Sequence, residues 1–188
     1  YRTPWMANFN KVHREWVNRK EAPYPFVAPA TQRDPMATKE MLEILELGEV
    51  ELHRATAPFT AGGKQYAAGS VVVKLAQPYG AFAKTMLEKQ VYPDLRIFPG
   101  GPPEPPYDVT AHTLWMLMGV EVDQVAESFG AELELIKTVT ATPSPMPERP
   151  KYAYLVGPES NAGFKALAEL HKASVPVYRA ARAFESGG

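Results

Sequence analysis

Apolar positions change their period along the chain, and the changes mark out the elements. Trp5, Phe9, Val12 and Trp16 recur at helical spacing with Lys11, Arg14 and Lys20 on other faces, which predicts a helix within residues 1–22. Tyr24 to Ala28 reads as a strand, and the polar turn Thr31-Gln32-Arg33-Asp34 follows it. Asp34 before Pro35 is a strong helix start, an N-cap followed by a proline at the first helical position. Met41, Leu42 and Leu45 share one face of that helix, which runs to about Leu47 with Gly48 as its stop. Val50 to Arg54 alternates like a strand, Gly62-Gly63-Lys64 reads as a hairpin turn, Ser70 to Leu75 is rich in β-formers, and Tyr79 to Gln90 is amphipathic. Asp108 to Val120 predicts a further helix, Val122 to Val125 is a short apolar-polar run, and Leu133, Leu135, Lys137 and Val139 alternate.

Proline punctuates this pattern. Pro99, Pro102, Pro103, Pro105 and Pro106 stiffen one segment, and Pro143, Pro145, Pro147 and Pro150 another; both read as extended connectors because proline removes a backbone donor. The expected organisation is a connecting helix at 1–22, a first half at 23–98, a connector at 99–107, a helix and strand segment at 108–142, a connector at 143–150 and a last segment at 151–188, within one compact domain overall.

The last segment repeats the first. Tyr24-Pro-Phe-Val27 matches Tyr152-Ala-Tyr-Leu155, and after a three-residue shift the register holds at a constant offset of 125. Ala37, Leu42, Leu45, Val50, Arg54, Ala55, Phe59, Gly62 and Gly63 then align with Ala162, Leu167, Leu170, Val175, Arg179, Ala180, Phe184, Gly187 and Gly188. Core periodicity accounts for the aliphatic matches but not for Arg-Ala-x-x-x-Phe-x-x-Gly-Gly at one spacing, so the segment reads as a duplicated β-α-β unit. The expected fold is α/β, a three-layer domain with a mostly parallel sheet flanked by helices. In such sheets ligands sit beyond the carboxyl ends of the strands, here Pro29 to Asp34 and Gly157 to Asn161. The second copy stops where the first enters its Gly-Gly turn, and the chain opens on Tyr1, so a piece of a longer protein is expected.

Composition narrows the chemistry. The 188 residues are 45% apolar and 22% charged, with a formal net charge of −1, which offers no basic field for a nucleic acid. No apolar run reaches the length of a membrane span. The absence of cysteine excludes disulfides, thiolate metal sites and a cysteine nucleophile. His13, His53, His112 and His171 sit in none of the usual zinc spacings, there is no Gly-x-Ser-x-Gly, and Gly62-Gly63-Lys64 lacks the rest of a phosphate loop. Asp108 and His112 stand four apart and would share a helical face, an arrangement that can orient a general base, although capping by Asp108 with no accompanying nucleophile is the simpler reading. Gln32 and Asp34 in one predicted strand-to-helix loop, Gln77 and Tyr79 in Ala76-Gln-Pro-Tyr79, and Glu159, Ser160 and Asn161 in the repeat's loop are candidates for ligand binding or for caps.

Tyr66-Ala-Ala-Gly-Ser-Val-Val-Val73, Ala76-Gln-Pro-Tyr79, Leu87-Glu-Lys-Gln90 with Tyr92-Pro93, and Pro106-Tyr-Asp-Val-Thr-Ala-His-Thr-Leu114 with Met118-Gly-Val120 resemble the region downstream of the catalytic domain in large bacterial zinc carboxypeptidases of the carboxypeptidase A type. In those proteins the region looks like a class I glutamine-amidotransferase-like domain. The resemblance implies a non-catalytic accessory domain of a secreted or periplasmic peptidase. It places zinc, the only expected cofactor, in a catalytic domain outside this chain, and makes that domain the expected partner, to which the Trp5–Trp16 helix would connect. The family's His-x-x-Glu zinc motif is absent, and so is the amidotransferase cysteine, so no catalytic residue carries over. An independent small-molecule or peptide binding module is the second reading and a hydrolase using Asp108 and His112 the third; exposed edges also leave room for a homodimer.

Overall fold

The computed structural model describes residues 2–22, 25–91, 93–105, 112–140 and 147–185. The chain divides into two units, Tyr1–Thr142 and Pro143–Gly188. The first holds, in order, α1 (Arg2–Val17), β1 (Pro25–Ala28), α2 (Pro35–Leu47), β2 (His53–Ala55), β3 (Phe59–Ala61), β4 (Lys64–Tyr66), β5 (Val71–Lys74), α3 (Gly80–Leu87), α4 (Leu114–Met118), β6 (Asp123–Gln124) and β7 (Leu133–Leu135). The second holds α5 (Asn161–Lys172).

Local chemistry sets the element boundaries. The Asp34 carboxylate accepts from the backbone N–H groups of Met36 and Ala37, satisfying two orphan donors at the start of α2. Ala37, Met41, Leu42 and Leu45 form the buried stripe of that helix. The helix closes with Glu49 at φ 59° and the Val50 N–H donating to Leu45 O at 3.0 Å, a left-handed cap. Gly62 at φ 55° and Gly63 at φ 75° make the tight turn between β3 and β4, where both central residues must be left-handed.

The sheet overturns the expected parallel architecture. Its order is β6-β1-β5-β2-β7, and every pairing in it is antiparallel. β1 and β2 do run in the same direction across α2, but β5 lies between them and is antiparallel to both. The β3–β4 hairpin reverses the chain and brings β5 back into that gap, a split β-α-β arrangement. The reading of residues 23–98 and 151–188 as β-α-β units implies parallel strands joined by helical crossovers, and the insertion of β5 between β1 and β2 overturns it. Both faces of the sheet are covered, by different layers. Phe26, Ala28, Val71 and Val73 pack with Met41, Leu45, Ala83 and Leu87 beneath α2 and α3. Val27 and Val72 face the other way, with Ala55, Phe59, Tyr66 and Val125 beneath the hairpin.

The second unit corrects the duplication in part. α5 occupies the position of α2, with the Ser160 hydroxyl accepting from the Gly163 N–H as its cap. The flanking segments that the repeat marks as strands are not strands in the structure, and no residue described between 147 and 185 is buried. Gly187 and Gly188 lie outside the described residues.

Candidate functional site

The antiparallel register separates the predicted ligand-binding residues. Ala28, at the end of β1, stands opposite Val71 at the start of β5, and Pro25 stands opposite Lys74. The loop after β1, with Gln32 and Asp34, therefore leaves one end of the sheet, and the loop after β5, with Gln77 and Tyr79, leaves the other. The four paired residues hold those ends about 10 Å apart. Gln32 and Gln77 therefore do not share a strand end. Two surface concavities of about 550 and 380 Å³ lie elsewhere, along α1 at Asn10, Lys11 and Arg14, and between Ile44, Leu47 and Met118.

Most of these residues are used by the scaffold. Gln77 is buried, 2% exposed. Its side-chain oxygen accepts from Glu51 N–H at 2.7 Å, and its amide nitrogen donates to Glu51 O at 3.1 Å and to Lys74 O at 2.5 Å. Gln32 does the same in a more open setting, accepting from Glu121 N–H at 2.8 Å and donating to Glu121 O at 2.9 Å and Pro29 O at 3.0 Å. Each side-chain amide thus stands in for a peptide group and ties its loop to a distant backbone. Asp34 serves as the α2 cap. The Tyr79 ring meets the His13 ring edge-on at 5.5 Å, linking α3 to α1. Asn161 opens α5 in the second unit, directly after its Ser160 cap.

Asp108 lies outside the described residues. His112 sits over the end of α3, its Nε2 at 2.5 Å from the Gln90 amide nitrogen. Its neighbours explain the placement. Thr113 Oγ1 donates to Glu88 O and the Trp115 indole N–H donates to Leu87 O, each at 2.8 Å, so the segment satisfies carbonyls left open where α3 ends.

One charged cluster escaped the sequence reading. Asp123 Oδ2 accepts from Lys64 Nζ at 2.6 Å and from Tyr66 Oη at 3.0 Å, while the Tyr66 ring stacks 5.0 Å from Phe59. Burial, the hydrogen bond to Asp123 and that carboxylate's charge push the Tyr66 hydroxyl up to about 12, so it remains a donor at neutral pH rather than a base. The group clasps the hairpin to β6. Tyr66 and Asp123 lie 57 residues apart in sequence, and the Gly62-Gly63-Lys64 hairpin turn signals only the local strand pair. His53 on β2 is held below its ordinary value by burial, then by Lys74, with Glu51 opposing; its Nδ1 is buried with no hydrogen-bond partner among the described residues.

α1 also carries large apolar side chains in the open. Trp5 is 75% exposed, with Met6 and Phe9 both more than half exposed on the same helix. α1 is held at its other end, where Trp16 packs against the core and stacks beneath Arg19 at 4.7 Å. Among the described residues no three His, Asp or Glu side chains gather as a metal-binding group, and no helix is long and apolar enough to cross a membrane. No family model, curated protein or solved structure matches the chain.

Proposed function

We propose that this chain is a non-catalytic accessory domain of a bacterial zinc carboxypeptidase of the carboxypeptidase A type, working outside the cytoplasm and docking on the catalytic domain through α1. The exposed Trp5, Met6 and Phe9 face carries the reading: a helix anchored by Trp16 at one end presents large apolar side chains to solvent at the other. Aromatic anchors of this kind dominate interface energetics. The fate of Gln32, Asp34 and Gln77 supports it too, since each is bound into loop and cap structure rather than turned toward a ligand.

The test is zinc content together with release of C-terminal residues from peptides by the purified chain. The expected result is no turnover; turnover with stoichiometric zinc overturns the proposal. A catalytic domain of that peptidase type, added in trans, should shield Trp5 from iodide quenching, and Phe9→Ala should weaken that shielding.

A further inference from the structure

The first unit displays the cover that its β1–α2–β2 segment requires, and the second unit carries the same segment without it. Glu49 and Ser174 are the two non-glycine residues with positive φ among those described, at 59° and 55°, and they stand at the repeat offset of 125. The bonds that close the two helices repeat at that offset. Gly48 N–H to Ile44 O, Glu49 N–H to Glu46 O and Val50 N–H to Leu45 O measure 3.2, 2.9 and 3.0 Å. Ala173 N–H to Glu169 O, Ser174 N–H to His171 O and Val175 N–H to Leu170 O measure 3.0, 3.0 and 2.9 Å. The buried α2 stripe of Ala37, Met41, Leu42 and Leu45 has Ala162, Ala166, Leu167 and Leu170 as counterparts, all apolar and none buried. Val50, Leu52 and Phe59 are 5%, 2% and 8% exposed, whereas Val175, Val177 and Phe184 are 43%, 38% and 60% exposed. Before the helix, buried Phe26, Val27 and Ala28 correspond to exposed Tyr154, Leu155 and Val156.

We propose that residues 153–156 and 178–180 are the two rims of a strand-acceptor slot. Its occupant is a single extended polypeptide strand of the β5 type, three consecutive β-branched apolar residues followed by lysine, antiparallel to both rims. The first unit supplies the register: Val72 stands opposite Val27 and His53, Val71 opposite Ala28 and Arg54, Val73 opposite Phe26 and Lys74 opposite Pro25. In the second unit the middle residue of the occupant lies opposite Leu155 and Tyr178, the first opposite Val156 and Arg179, the third opposite Tyr154, and the lysine opposite Ala153. The first and third side chains cover the apolar stripe of α5, as Val71 and Val73 cover α2. Backbone hydrogen bonds to two rims give affinity, and the alternating side chains give selectivity. One difference fits this assignment. Glu51, whose N–H is held by Gln77, corresponds to Pro176, which has no N–H to satisfy, so the occupant needs no acceptor in the place of the Gln77 side-chain oxygen. A second copy of the chain is not the occupant, because its own β5 is already paired along both edges.

The probe is a labelled peptide of residues 69–77 titrated into the full chain, with amide exchange read alongside. Saturable binding is expected, with exchange slowed about tenfold or more at 154–156 and 178–180 and unchanged in β1 and β2. Leu155→Asp should weaken binding by about tenfold or more without moving the unfolding of the first unit. Absence of binding, or equal binding to Leu155→Asp, overturns the proposal. So does protection that appears in the chain alone and grows with its concentration, which would make a second copy the occupant. None of these outcomes bears on the accessory-domain reading, whose test is zinc and turnover.

Discussion

Gln77 and Gln32 form a matched pair with which to measure what burial adds to a side-chain clamp. Each makes three hydrogen bonds to backbone groups, and each bridges its loop to one distant residue, Glu51 or Glu121. They differ in setting, since Gln77 is buried and the Gln32 bonds to Glu121 are exposed. Substitution by leucine keeps the approximate volume and removes every bond. A net hydrogen bond is worth about 1 kcal/mol, and a backbone group left unsatisfied in a buried site costs about 1–3 kcal/mol. Three bonds with restricted access to water make Gln77→Leu cost about 3–4 kcal/mol. At Gln32 water replaces the lost partners, so Gln32→Leu should cost about 1 kcal/mol. Urea denaturation followed by tryptophan fluorescence reads both, with an unchanged slope required so that the midpoints compare directly. If Gln32→Leu were as destabilising as Gln77→Leu, the clamp's value would not come from burial and the reasoning would fail.

Three further outcomes follow from the first unit. Tyr66 has its hydroxyl raised from 10 to about 12, so its stabilisation is complete below pH 10 and is lost as pH rises toward 12, by about 1–2 kcal/mol after screening at Asp123; Tyr66→Phe should flatten a stability profile over that window. His53 is depressed by burial, so the folded state resists its protonation and stability should fall as pH drops below 6.5; His53→Gln should remove that part of the slope in melting experiments between pH 7.5 and 5.5. A Cβ on Gly80 would lie 2.0 Å from Leu75 O and 2.8 Å from the Trp16 ring, so Gly80→Ala should cost about 3 kcal/mol and expose Trp16, seen as a red-shifted emission.

Legibility from sequence followed the range of the interactions. Asp34-Pro35 and Gly62-Gly63 announced the start of α2 and the hairpin correctly, because a cap and a tight turn are decided within four residues. The position of β5 was not legible. Val71 to Val73 declares a strand buried on both faces but not its neighbours, and inserting it between β1 and β2 converts an expected parallel sheet into an antiparallel one. That single placement also sets the loops carrying Gln32 and Gln77 at opposite ends of the sheet, because β1 and β5 run in opposite directions. The Lys64–Asp123–Tyr66 clasp was hidden for the same reason, its partners being joined only by the packing of the hairpin on β6.

The repeat separates the two kinds of information within one chain. In both units the helix forms, takes a polar N-cap and closes with a left-handed residue and a bond from the first valine beyond it. Those features are encoded locally and appear whether or not the helix is covered. β1 and β2 form ladders in the first unit, whereas 153–156 and 178–180, carrying the matching pattern, form none. The difference is β5, which contributes backbone partners to both strands and apolar side chains to both faces. A strand in this fold is therefore a property of the pair rather than of the segment. The second unit presents half of two such pairs, with Leu155, Val156, Val175 and Val177 facing solvent where their counterparts face a core. Exposed edges of that kind invite pairing with any compatible strand. A structured helix already in place lowers the ordering cost for whichever strand arrives.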